Sequence, residues 1–197
     1  MRMNFSARRY IVVMLIGLTT LLLSSCSSEQ VTRDDFTLQS VDGPVSLSEY
    51  RNNIVLLFFG YTHCPDVCPA TMNNVASALR TLDPVDTARV KVLFVTVDPE
   101  RDSAEYLDRY LAYFNPEFIG LSGSAEEIKK AARVFEVEFF KEGERADNKY
   151  EVTHSSFLFL LDGDGKTVDI MSHRTKPDDI AIALRKWLNA LPSDAVR

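Results

Sequence analysis

The sequence predicts an α/β domain built on a mixed sheet with helices packed against it, and three observations carry that expectation. Two strongly apolar runs, IVLLFF at 54–59 and VKVLFVTV at 90–97, have strand length and no two-residue alternation, as strands buried on both faces do. Between them Val75, Leu79 and Leu82 fall near one face of a helix, which makes a right-handed βαβ unit. Downstream, SSFLFLLDGDGKTVDIM at 155–171 reads as a hairpin around a glycine-rich turn and precedes an amphipathic helix.

The N-terminus reads differently. Arg2, Arg8 and Arg9 precede an apolar run at 11–23, and a bilayer span takes about 20 residues. Residues 1–25 are therefore expected to be a signal peptide rather than an anchor. The run ends in LSSC, the pattern of a bacterial lipoprotein cleavage site, so Cys26 is expected to carry lipid and to begin the mature chain. Residues 26–35 then form a lipid-anchored tether and 36–192 the folded domain. The expected location is a bacterial cell envelope, on a membrane and facing the periplasm or extracytoplasmic side.

The remaining elements follow in order. FTLQSVDGPVSLSEY at 36–50 gives two strand-like pieces around Asp42, Gly43 and Pro44. AEYLDRYLAYF at 104–114 reads as a helix with Tyr106, Leu107, Tyr110, Leu111 and Phe114 on one face. SAEEIKKAARVF at 124–135 is a second, opened by a capping box at Ser124 and Glu127. The last helix starts at Pro177, with Asp178 and Asp179 in its first turn. It carries Ile180, Leu184, Trp187, Leu188 and Leu191 on one stripe. This order is the thioredoxin-like arrangement of glutaredoxins and peroxiredoxins, with an N-terminal strand extension and a helical insertion.

Composition narrows the function. The whole chain has a net charge of −6, and the signal segment holds three Arg and no acids. The mature chain thus sets 19 basic against 28 acidic residues, a charge of −9. An acidic domain argues against nucleic acid and against a basic membrane-surface patch. Of three cysteines, lipidation of Cys26 leaves Cys64 and Cys68. One bridge closing so small a loop adds little stability, so a purely structural disulfide is the weakest explanation of the pair.

Cys64 and Cys68 stand in HCPDVCPA, at the expected junction of a buried strand and a helix, where open α/β sheets favour ligands. Pro69 favours a helix starting there, with Cys68 at the cap and CPDV as a turn. Both sulfurs then lie near the positive end of the helix, which stabilises thiolates. Three intervening residues allow either a disulfide or a grip on one soft ion. A structural zinc site wants four ligands and no further cysteine exists; two sulfurs and one nitrogen suit copper better.

The nitrogen must come from His63, His154 or His173. His63 adjoins Cys64 and is expected to point away from the sulfurs, while His173 follows the hairpin's second strand. His154 directly precedes the strand at 155–161, where thioredoxins place a residue opposite their cysteines. Other features read more plainly. Asp98 to Asp102 leave a buried strand, with Asp102 or Ser103 expected to cap the next helix. Asp98 could instead touch the metal ligands from outside, as could Asp66, which otherwise is a turn residue or a partner contact. DGDGK is a hairpin turn, since Lys166 stands where a calcium loop needs an acid.

Three separated stretches, FFGYTHCPDVCPATM, VTVDPERDSAEYL and YEVTHSSFLFLLDGDG, resemble the Sco/SenC family of copper-binding assembly proteins. The resemblance runs over about residues 36–165. It implies that Cys64 and Cys68 are thiolate ligands and a redox-active disulfide, with His154 as third ligand and Cu(I) or Cu(II) as the metal. It further implies assistance to assembly of the dinuclear copper centre of cytochrome c oxidase. The partners would be that oxidase's copper-bearing subunit and an upstream copper donor or thiol reductant. The same cysteines would serve a thiol–disulfide oxidoreductase or redox sensor acting on an exported partner, so enzymatic activity stays open. Thr153 departs from the Asp that many relatives carry before the histidine.

Overall fold

The run at 54–60 folds as β3 (Ile54–Gly60), and all of its residues are buried, because it has a strand on each edge and packed layers on both faces. The structure is a computed structural model that describes residues 35–143 and 150–192. The expected signal peptide, Cys26 and nearly all of the tether lie outside the described residues.

β4 (Val90–Thr96) runs parallel to β3, pairing Phe58 with Phe94 and Gly60 with Thr96. β5 (Ile119–Leu121) adds in parallel outside β4. On the other edge β8 (Phe157–Leu161) pairs antiparallel with β3, and β9 (Thr167–Ser172) pairs antiparallel with β8. The order β5-β4-β3-β8-β9 is the mixed sheet of a thioredoxin-like fold. Successive β3 residues face opposite layers. Phe58 meets Phe94 at 5.8 Å, while Phe59 meets Phe135 at 5.8 Å and Phe159 at 6.4 Å.

Among the described residues five α-helices accompany the sheet: α1 (Val67–Leu79), α2 (Pro84–Ala88), α3 (Ala104–Ala112), α4 (Ala125–Val134) and α5 (Pro177–Leu188). α1 and α5 pack on each other, and α3 packs on β5. The expected stripe of α5 buries Ile180, Leu184 and Leu188, with Trp187 and Leu191 partly covered. Ser124 and Glu127 form the expected capping box of α4. In α3 Leu107 and Leu111 are buried, but Tyr106 is exposed and Phe114 falls past the helix end.

Several boundaries differ from the sequence reading. α1 begins at Val67 with Asp66 as its N-cap, not at Pro69 with Cys68 as the cap. Pro69 is the third helical residue, where its missing N–H is one of the four that have no intrahelical partner anyway. β1 (Thr37–Ser40) and β2 (Gly43–Ser46) form the expected N-terminal hairpin, although Gly43, at φ +122°, opens β2. Sequence reading passed over α2 and β5 because they span five and three residues. It also passed over β6 (Phe139–Glu142) and β7 (Glu151–His154), which pair with each other in a separate two-stranded sheet.

Gly120 shows how closely the helical insertion approaches the sheet. A Cβ there would lie 2.5 Å from Leu107 Cβ and 3.2 Å from Leu111 Cδ1. Gly120→Ala should destabilise the fold by about 1–3 kcal/mol through overpacking, read as a lower urea midpoint with an unchanged slope. An unchanged midpoint would refute the close approach.

Candidate metal and redox centre

Gly60, the last residue of β3, makes room for a sulfur. A Cβ on it would stand 3.0 Å from Cys68 Sγ, 2.7 Å from Phe58 Cε1 and 2.9 Å from Phe94 Cζ. Cys68, the second residue of α1, is 0 % exposed, whereas Cys64 is only partly buried in the turn before the helix. Neither is in a disulfide. The Cys68 backbone N–H donates to Cys64 Sγ over 3.4 Å.

The two sulfurs share a proton unequally. A hydrogen bond from the Cys68 thiol pulls Cys64 down to about 3 against the opposing cost of burial. The backbone N–H groups of Cys68 and Asp66 add to that pull. The same hydrogen bond pushes the Cys68 thiol up, helped by burial and by the charges of Cys64 and Asp102. The resting pair is a Cys64 thiolate beside a Cys68 thiol.

His154 ends β7, beside the cysteine pair. Its Nδ1 lies 3.2 Å from the Ser155 carbonyl oxygen, which can only accept, so Nδ1 carries the hydrogen. In the neutral ring Nε2 then holds the lone pair, and it stands 3.8 Å from Cys68 Sγ. Phe58 and Tyr61 meet the ring edge to face at 6.2 and 5.9 Å. Metal–sulfur bonds of about 2.3 Å and metal–nitrogen bonds of about 2.0–2.1 Å put two ligands of one ion at about this separation. Among the described residues no three His, Cys, Asp or Glu side chains already stand in metal-holding geometry.

The other sequence candidates fall elsewhere. His63 Nδ1 lies 3.1 Å from Thr62 Oγ1, and its ring stacks on Tyr106 at 6.2 Å. His173 lies between β9 and α5 and, among the described residues, makes no hydrogen bond to either sulfur. Asp66 is exposed, and its side chain makes no capping bond. Asp98 is fully buried, bonded to Arg101 and to the Tyr150 hydroxyl rather than to a sulfur.

The carboxylate that organises the cysteine loop is Asp102, which sequence reading offered only as a cap of the next helix. Ser103 alone caps α3, accepting from the Tyr106 N–H. Asp102 is fully buried and accepts from Thr62 N at 3.0 Å, Thr62 Oγ1 at 2.5 Å and Thr96 Oγ1 at 2.8 Å. The available signal was a second acid four residues after Asp98, just beyond a buried strand.

The depressed pKa gives a test in the reduced protein. A group lowered to about 3 is already ionised across pH 5–8, so its reactivity should be nearly flat there. An ordinary thiol near 8.5 gains about tenfold per pH unit. Alkylation with iodoacetamide, located by peptide mass spectrometry, should modify Cys64 first and outpace free cysteine more than about tenfold at pH 5. A Cys64 rate that climbs tenfold per unit from pH 5 to 8 would refute the thiolate assignment.

Known proteins resemble this chain across the folded part. A family model described as SCO1/SenC matches residues 25–189. The mitochondrial SCO2 homolog of Bos taurus is 36% identical over 165 residues, covering 83% of this chain and 62% of that protein. The match thus spans less than two thirds of that relative's length. Among solved structures, apo Sco1 of Thermus thermophilus is 42% identical with a TM-score of 0.73, covering 77% of this chain and 89% of the other. ScoI of Bradyrhizobium japonicum, solved with copper bound, is 34% identical with a TM-score of 0.71, covering 78% and 97%. BsSco, described as a member of the Sco family of cytochrome c oxidase assembly proteins with a disulfide switch, is 26% identical with a TM-score of 0.62 over 79% and 92%. With the family model matching most of its length, the chain belongs to the SCO1/SenC family.

Proposed function

We propose that the protein is a membrane-tethered copper-binding chaperone that assists assembly of the dinuclear copper centre of cytochrome c oxidase. Copper is the cargo, held by Cys64, Cys68 and Nε2 of His154. The observation that carries this reading is the imidazole lone pair 3.8 Å from a buried sulfur. Disulfide exchange needs two sulfurs and no nitrogen, whereas two thiolates with one imidazole suit copper in both oxidation states. The partners are the oxidase's copper-bearing subunit and an upstream copper donor or thiol reductant.

One observation favours a second reading, a thiol–disulfide oxidoreductase or redox sensor. A partly exposed Cys64 thiolate beside a buried Cys68 thiol is the division of labour between an attacking and a resolving cysteine. The histidine separates the two readings. His154→Ala should lower Cu(II) affinity by at least about 10-fold, the scale set by changes outside the ligand shell. Cu(I) affinity should fall less, because two thiolates satisfy the softer ion. Disulfide formation between Cys64 and Cys68 should persist, and His63→Ala and His173→Ala should bind copper almost normally. Wild-type Cu(II) affinity and absorption in His154→Ala would overturn the ligand set and favour the oxidoreductase.

The tether is part of the proposal. The basic segment, the short apolar run and LSSC motivate lipidation at Cys26 after removal of residues 1–25, with the domain facing the periplasm or extracytoplasmic side of a bacterial envelope. Cys26→Ala should leave an unprocessed or mislocalised protein in membrane fractionation and acyl labelling. Normal processing with unchanged acylation would remove the lipid anchor from the model of function.

A further inference from the structure

The cysteines and His154 stand on backbones that share no strand pairing. Cys64 and Cys68 follow β3 of the central sheet, while His154 ends the separate β6–β7 hairpin. Residues 98–102, which leave β4, touch both. At one end Asp102 holds Thr62, two residues before Cys64. At the other end the contacts converge on Tyr150, the residue before β7. Its hydroxyl donates to Asp98 Oδ1 over 2.6 Å, and its carbonyl accepts from Arg101 Nη1 over 3.2 Å. The Arg101 guanidinium lies 3.8 Å over the Tyr150 ring and 5.9 Å from the ring of Tyr61, which itself meets His154. A second strap, Lys141 of β6 to Glu100 at 2.6 Å, joins the same two pieces.

We infer that Arg101 and Tyr150 are positioning residues: they clamp the β6–β7 hairpin to residues 98–102 and thereby hold the His154 imidazole at the cysteine pair. The inference rests on the reading of His154 as a copper ligand. β7 is only four residues long, Glu151–His154, so slack at Tyr150 reaches the imidazole within one short strand. A looser hairpin spends less time with Nε2 at the sulfurs, and apparent affinity falls by the lost fraction of competent conformers. Arg101 also forms an ion pair with Asp98, whose carboxylate is fully buried. The clamp is therefore built on a charge that needs its partner and cannot drift.

Tyr150→Leu in the full-length protein is the test, since it removes the hydroxyl and the ring but keeps the backbone carbonyl. Cu(II) affinity should fall by about 10-fold or more, as for other residues that orient a metal ligand, and the sulfur-to-copper absorption should change. The Cys64–Cys68 reduction potential should stay at the wild-type value. In the metal-free protein, amides of residues 152–154 should exchange at least about tenfold faster, a local opening rather than a global one. Tyr150→Phe, which keeps the ring over Arg101, should recover most of the affinity. Should Tyr150→Leu fail to fold, Arg101→Lys keeps the charge at Asp98 but loses the fork, and the same losses are expected. His154→Ala, run beside them, separates the two ideas. Weak Cu(II) binding in His154→Ala with wild-type binding and exchange in Tyr150→Leu overturns the clamp and leaves the ligand set standing. Unchanged binding in His154→Ala overturns the ligand set, and the exchange rates alone then support or refute the clamp.

Discussion

Asp102 is a fully buried carboxylate, and the shape of the cysteine loop follows from how its charge is satisfied. Burying an ionised carboxylate is affordable only when donors surround it, and three do. Thr96 ends β4 and Thr62 opens the turn beyond β3, so the carboxylate ties two parallel strand ends together just where the cysteines begin. The Ser122 hydroxyl adds a bond to the Asp102 carbonyl, bringing in the residue after β5. Losing the carboxylate would take an acceptor from the Thr62 N–H and from the Thr62 and Thr96 hydroxyls, at about 1–3 kcal/mol for each group that stays buried and unsatisfied. Cys64 thus projects from a turn whose first residue is fixed twice over.

Packing and electrostatics then divide the sulfurs. Cys68 occupies the space that Gly60 leaves open beside the rings of Phe58 and Phe94, an apolar setting that penalises charge. Cys64 stays partly exposed and takes the backbone N–H groups of the first helical turn. Asp102 contributes a negative charge near Cys68 and none of the hydrogen bonds that would stabilise a thiolate there. A second thiolate is therefore opposed by burial and by two like charges, and forms when a cation supplies the compensation.

The central sheet was legible because β3 and β4 are long and apolar enough to exclude other readings, and the capping box at Ser124 marks its helix from four residues alone. The cysteine pair was legible as chemistry for a local reason: two thiols at a strand end need no tertiary information to be noticed. The hairpin that carries His154 was not. Phe139–Glu142 is mostly exposed and half charged, its partner holds one buried residue, Val152, and neither has a periodicity that a short window can detect. Asp102 was misread for a related reason. An acid next to a serine at a helix start is ambiguous between two caps, and only tertiary packing shows that Ser103 takes the cap and frees Asp102 for Thr62 and Thr96. The start of α1 was misplaced because proline is tolerated throughout the first turn and not only at its first position.

These pieces make the site a branch point. In the reduced resting state the pair holds one proton and one negative charge. Oxidation to a disulfide removes two electrons and that proton, and it consumes both sulfurs. Binding an ion through both sulfurs releases the same proton without any electron leaving. The two outcomes draw on one reactant and exclude each other, so the sulfurs alone cannot favour either. The imidazole can. Its Nδ1–H is committed to the Ser155 carbonyl, which leaves Nε2 to offer a lone pair beside Cys68, and in the proposed ligand set that lone pair would stabilise the metal-bound branch while doing nothing for the disulfide. On that reading the balance between the two branches resides in the placement of one ring, carried on a two-stranded sheet separate from the central one.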